Sequence, residues 1–166
     1  HGFCYGVKRA VEMADEAANS EGKSYTLGPI IHNPQVVGRL ENKGVSPIQE
    51  VADIDEGTMI IRSHGVGPAI YAEAEEKGLH ILDATCPHVK KAQQDAKSVI
   101  EDGMTLVILG EKNHPEVKSI NLWANNKGII IEDEESAEKL QIVEKMGVVV
   151  QTTFSQFKFN SIIEIL

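Results

Sequence analysis

Residues 58–87, TMIIRSHGVGPAIYAEAEEKGLHILDATCP, decide the fold class. Residues 58–62 and 80–83 are short, mostly apolar runs that read as strands. Between them, residues 69–77 have helical spacing, with Pro68 at the start and Gly78 just past the end. Proline is harmless at the first helical position, and glycine suits the left-handed turn that stops a helix. No Asn-Gly hairpin turn joins neighbouring apolar runs, so the strands are expected to pair in parallel across helical crossovers.

The pattern continues in both directions. Strands are expected at 25–27, 104–109, 128–132 and 147–151, and helices at 7–18, 34–42, 87–101, 116–123, 136–140 and 155–166. Strands that are apolar on both faces belong to a parallel sheet covered by helices on each side. Pro87 and Pro115 repeat the role of Pro68, while Gly22, Gly44, Gly103 and Gly128 repeat that of Gly78. The expectation is an α/β fold of two similar parallel-sheet domains, residues 1–86 and 87–166. The chain enters its first helix with neither Met nor a strand ahead of it, and its last helical run carries no stop signal. It therefore reads as truncated at both ends.

The 166 residues are 42% apolar and 25% charged, ordinary values for a globular protein with a real core. No stretch approaches the roughly 18 apolar residues of a membrane span, and no signal peptide opens the chain. A cytoplasmic location without membrane association is expected. The net charge of −9 argues against a nucleic-acid partner, which needs a basic face. It also means that any bound phosphate must be held by local groups rather than steered by the overall field. The acidic run at 132–135 reads as a solvated loop and first helical turn.

Chemistry-bearing residues recur in one slot, just past an apolar run and at the start of a helix. His32, His64 and His114 each neighbour Gly or Pro there, and Cys86 precedes Pro87. Cys4 stands directly before the helical 7–18 stretch. In open α/β sheets this slot is the crevice at the carboxyl ends of the strands, where ligands bind. A cysteine at a helix start gains thiolate character, the form that ligates metal. Imidazoles and backbone N–H groups in such turns donate to phosphate oxygens. Two cysteines so far apart form no zinc-finger spacing and are read as thiols, suited to an iron–sulfur cluster or soft metal but too few to close such a site. Glu116 falls in a first helical turn, either complementing the helix dipole or donating protons. Thr152, in Gln151-Thr152-Thr153, is a cap or a hydroxyl for a substrate oxygen.

Six segments, Gly2-Phe3-Cys4-Tyr5-Gly6-Val7-Lys8-Arg9-Ala10, Ile31-His32-Asn33-Pro34, Ser63-His64-Gly65-Val66, Asp83-Ala84-Thr85-Cys86-Pro87, His114-Pro115-Glu116-Val117 and Gln151-Thr152-Thr153, together resemble the 4-hydroxy-3-methylbut-2-enyl diphosphate reductase family of the methylerythritol phosphate route to isoprenoids. The resemblance implies a trefoil of three α/β domains around a 4Fe-4S cluster, of which this chain supplies most of two. It implies cluster ligation by Cys4 and Cys86 with a third cysteine beyond Leu166. It assigns diphosphate binding to His32, His64 and His114, substrate contact to Thr152 and proton donation to Glu116. The implied reaction is reductive dehydroxylation of the allylic diphosphate to isopentenyl and dimethylallyl diphosphate at an open iron, with ferredoxin or flavodoxin as electron donor. Without the third cysteine, the chain alone is expected to be inactive. Two other readings stay open at the level of sequence: a non-catalytic phosphate-binding α/β module with packing cysteines, and a zinc-dependent hydrolase.

Overall fold

The computed structural model describes residues 4–20, 22–31, 33–141 and 144–166, and the chain divides into two compact units, residues 1–87 and 88–166. In the first unit α1 (Tyr5–Ala18) precedes β1 (Ser24–Leu27), α2 (Pro34–Glu41), β2 (Val45–Ile48), a 3-10 turn (Val51–Asp53), β3 (Thr58–Ile61), α3 (Pro68–Glu76) and β4 (His80–Asp83). All pairings are parallel, in the order β2-β1-β3-β4. Successive residues of β3 point to opposite faces, and both faces are filled. Ile60 packs with Ala10, Ala14 and Leu40 under α1 and α2. Met59 and Ile61 pack with Ile54 and Ala74 on the other side. Alanine at positions 10, 14 and 17 both favours the helix and leaves a flat face on which α1 lies close to the sheet.

Strand β2 is absent from the sequence expectation. Val45-Ser46-Pro47-Ile48 contains a proline, which lacks a ladder donor, so it does not read as a strand. It is accommodated because β2 is an edge strand, paired only to β1, with Pro47 opposite Thr26.

The second unit contains most of α4 (Pro87–Glu101), followed by β5 (Thr105–Leu109), α5 (Pro115–Trp123), β6 (Ile129–Ile131), α6 (Glu134–Glu138), β7 (Met146–Val150) and α7 (Gln156–Ile165). Its three strands are parallel in the order β6-β5-β7. Central β5 again feeds two cores: Leu106 and Ile108 pack with Ala92, Ala96, Val117 and Ile120, whereas Val107 and Leu109 pack with Ala137 and Ile162. The acidic run is exposed, with Asp133 capping α6 through Ser136 N–H at 2.8 Å.

One stop signal is misread from sequence. Gly128 does not terminate α5; the chain turns at Asn125 and Asn126, whose φ values are 54° and 59°. Asparagine tolerates that region through its short polar side chain. Gly128 is glycine for space, since a Cβ there would lie 2.5 Å from Ile108 Cδ1. The strands also end one residue early at Arg62, Glu132 and Gln151, which puts all three in the turns at the carboxyl edge. Among the described residues, no helix is long and apolar enough to cross a membrane.

Candidate functional site

In the first unit the chain leaves β1 toward β2 on one side and leaves β3 toward β4 on the other, so the connections diverge between β1 and β3. This is the topological switch point at which open α/β sheets bind ligands. The turns beyond β3 and β4 are tied together there, with Cys86 N–H donating to Ser63 O at 2.9 Å. His64 is half-buried in the β3 turn. His32 falls outside the described residues, as do Gly2 and Phe3.

Cys4 is the exposed N-cap of α1, with no side-chain capping bond, and its carbonyl accepts from Lys8 N at 2.9 Å. Half-buried Cys86 precedes α4 and rests on the first turn of α1: a Cβ built on Gly6 would lie 2.7 Å from Cys86 Sγ. Both cysteines therefore flank the start of one helix. Arg9 Nη1 adds a bond to Thr85 O at 3.3 Å, joining α1 to the cysteine turn. Three or more His, Cys, Asp or Glu side chains placed to hold a metal ion do not occur among the described residues. The two thiols fit part of a ligand set, not a closed one.

The cysteine turn has a second brace that sequence reading misses. Asp83 accepts from Thr85 N through Oδ1 at 2.9 Å and from the Tyr71 hydroxyl through Oδ2 at 2.9 Å. Burial, and then the charge of Asp83, push the Tyr71 phenol well above its ordinary pKa. A phenol with a raised folded-state pKa contributes stability that is complete below its unfolded value, about 10, and is lost as pH rises toward the folded value. Tyr71→Phe is expected to cost about 1 kcal/mol at neutral pH, the usual net worth of a hydrogen bond. It should also flatten the decline of the melting temperature above about pH 10. Parallel alkaline melting curves for the variant and the wild type would contradict this.

In the second unit, proline again sets the helix start. His114 is the N-cap of α5, its Nδ1 accepting from Glu116 N at 3.2 Å. With Nδ1 engaged as acceptor, Nε2 carries the ring proton and is the donor position. Glu116 is only 2% exposed, yet both its oxygens are held by one residue. Thr152 N donates to Oε1 at 2.6 Å and Thr152 Oγ1 to Oε2 at 2.8 Å. The simple dipole role expected of a first-turn glutamate does not require such burial. Thr152 is itself an exposed residue, so the buried carboxylate is bonded to the side chain of a residue at the surface.

The local packing explains why α5 and the turn after β7 meet. Gly110 leaves room where a Cβ would lie 2.6 Å from Val117 and 2.9 Å from Gln151. Gln151 Oε1 accepts from Glu111 N at 2.9 Å, and its Nε2 donates to Thr153 Oγ1 at 2.8 Å. From the other side, buried Gln93 donates to Ser119 Oγ at 3.2 Å, and that hydroxyl donates to Glu116 O at 2.9 Å. Glu116 is thus fixed in both its backbone and its carboxylate.

Comparison with known proteins gives a consistent answer. A family model described as LytB protein matches residues 1–166. A curated protein of Pelobacter propionicus, named 4-hydroxy-3-methylbut-2-enyl diphosphate reductase, is 52% identical over 154 residues, covering 93% of this chain and 55% of its own length. One of the same name from Geotalea uraniireducens is 48% identical over 163 residues, covering 98% of the chain and 58% of the relative. The chain thus spans little more than half the length of these relatives. Among solved structures, one of the reductase described as the terminal enzyme of the non-mevalonate pathway matches with a TM-score of 0.89 at 45% identity, over 99% of this chain and 60% of that one. The Plasmodium falciparum reductase matches with a TM-score of 0.93 at 32% identity, over 99% and 53% respectively.

Proposed function

This chain belongs to the LytB protein family, and we propose that within its full-length protein it takes part in reducing 4-hydroxy-3-methylbut-2-enyl diphosphate to isopentenyl and dimethylallyl diphosphate. The observation that carries a catalytic rather than a binding role is Glu116, a buried carboxylate whose two oxygens are engaged by a single exposed threonine. A carboxyl hydrogen-bonded to the hydroxyl of an exposed residue suits a proton relay, a role that phosphate binding does not call for.

In the reaction the C4–O bond breaks and the oxygen leaves as water, while a C–H bond forms at one end of the allyl unit. Two electrons and two protons balance the change. Glu116 holds a proton at its carboxyl and passes it through the Thr152 hydroxyl, which accepts on one side as it donates on the other. The histidines His32, His64 and His114 donate to the diphosphate oxygens, His114 through Nε2. Cys4 and Cys86 would hold two positions of a 4Fe-4S cluster, for which cysteines at a helix start are suited ligands. A third cysteine beyond Leu166 completes the set. When bound, the cluster supplies electrons at low potential and an open, Lewis-acidic iron. A ferredoxin or flavodoxin delivers those electrons.

Anaerobic reconstitution of the full-length protein with iron and sulfide tests this reading. The expected result is a broad brown absorbance that Cys86→Ser diminishes strongly. Stoichiometric zinc without colour would instead mean a hydrolase-type metal site. Wild-type protein that takes up neither metal would leave only phosphate binding, and the reductase reading would be wrong.

A further inference from the structure

Arg62 is a half-buried cation with no counter-charge among the described residues. Its side chain crosses from the end of β3 to the end of β1, where a Cβ on Gly28 would lie 3.0 Å from Nη1. The left-handed φ of Gly28, 69°, favours glycine there, and the missing side chain leaves room for Arg62. Arg62 Nε is buried and has no hydrogen-bond partner among the described residues. Other basic side chains of this unit are satisfied: Arg39 and Lys43 share Asp15, and Lys77 donates to the carbonyls of Val51, Ala52 and Ile54.

Removing a charge from water without pairing it is unfavourable, and such groups are retained where a ligand supplies the partner. Burial pulls the Arg62 guanidinium below its usual pKa range, the direction expected of a desolvated cation. A guanidinium nevertheless stays charged in proteins, and its planar fork matches two phosphoryl oxygens at once. The position is equally telling. Arg62 spans the β1–β3 switch point, one residue before Ser63 and two before His64. In a chain of net charge −9, a local cation is what an anionic ligand needs.

We propose that the Arg62 guanidinium binds the diphosphate group of the substrate in the crevice between the ends of β1 and β3. The proposal rests on the allylic-diphosphate reading above and adds a binding residue to it. Its direct test is calorimetric titration of the full-length protein with inorganic pyrophosphate, for wild type, Arg62→Met and Arg62→Lys. Methionine preserves length and apolar packing, while lysine retains the charge but loses the fork. The Met variant should bind pyrophosphate at least about tenfold more weakly, with the Lys variant intermediate. Because no partner of Arg62 among the described residues is orphaned, the ligand-free Met variant should melt at or above the wild-type temperature.

Pyrophosphate affinity unchanged in Arg62→Met would overturn the assignment, as would a wild type that does not take pyrophosphate. A Met variant that melts well below wild type would mark Arg62 as a structural cation and equally overturn it. Pyrophosphate binding is measured without turnover, so the two claims separate. A protein that assembles no cluster yet keeps the Arg62 dependence would retain the anion site and lose the reductase reading.

Discussion

Glu116→Gln in the full-length protein is expected to lower turnover by a factor on the order of 10²–10⁴, the usual contribution of a positioned acid. The geometry makes this substitution unusually clean. The amide oxygen of Gln can accept from Thr152 N–H, as Glu116 Oε1 now does at 2.6 Å. The amide NH₂ can donate to Thr152 Oγ1, which only has to turn its hydroxyl from donor to acceptor. Both contacts survive, so the fold and the position of the turn after β7 should survive with them. What is lost is the transferable proton, together with the direction of the hydroxyl that would pass it on. Cluster content and pyrophosphate affinity should stay near wild type, since the proposed function assigns those to the cysteines and the basic residues. Retention of most of the steady-state rate, with electron delivery shown not to be limiting, would refute the relay. If Glu116 only complemented the α5 dipole, the variant would lose about 1 kcal/mol or less of stability and keep its activity.

The role of Glu116 was open to sequence reading only in part. Its place in a first helical turn follows from His114-Pro115, because proline marks the helix start. Its partner does not follow, because Thr152 lies 36 positions away and the contact depends on how α5 and the β7 turn pack. The strand order within each sheet is hidden for the same reason, although the alternation that makes the sheets parallel is plain. Apolar runs are legible when both faces of a strand are buried, as in β3 and β5. Edge strand β2, with its proline and exposed Ser46, carries no such signal. Arg62 closes an apolar run and so reads as the polar end of a strand; that its buried Nε has no partner among the described residues is visible only in three dimensions. The cysteines are legible as helix-start residues, but their shared helix is not, since Cys86 reaches α1 across 80 residues of chain through contact with Gly6.

Gly6→Ala puts that shared helix to the test, because two physical effects predict opposite signs. A glycine inside a helix costs about 0.5–1 kcal/mol relative to alanine, so propensity alone predicts a stabilised protein. Packing predicts the reverse. The new methyl would stand 2.7 Å from Cys86 Sγ and 2.9 Å from Cys86 Cβ, closer than side-chain carbons approach in real structures. Cys86 cannot easily retreat. Its backbone N–H is bonded to Ser63 O, Thr85 O accepts from Arg9, and Asp83 is held by Thr85 N and Tyr71. Overpacking of this kind costs about 1–3 kcal/mol, which exceeds the propensity gain. The strain is relieved by moving α1 away from the cysteine turn, and Cys4 moves with the helix it caps. If the two cysteines ligate a cluster as proposed, a change in their spacing would weaken its binding. The expected outcome is therefore a lower melting temperature and a large loss of iron and sulfide per chain after reconstitution of the full-length protein. The more conservative control is Ala10→Gly, which lowers helix propensity on the same helix without touching Cys86 and should leave iron content intact. If Gly6→Ala instead raises the melting temperature and loads iron like wild type, Gly6 is only a tolerated helix breaker, and the two cysteines do not depend on the contact between α1 and the turn that carries Cys86.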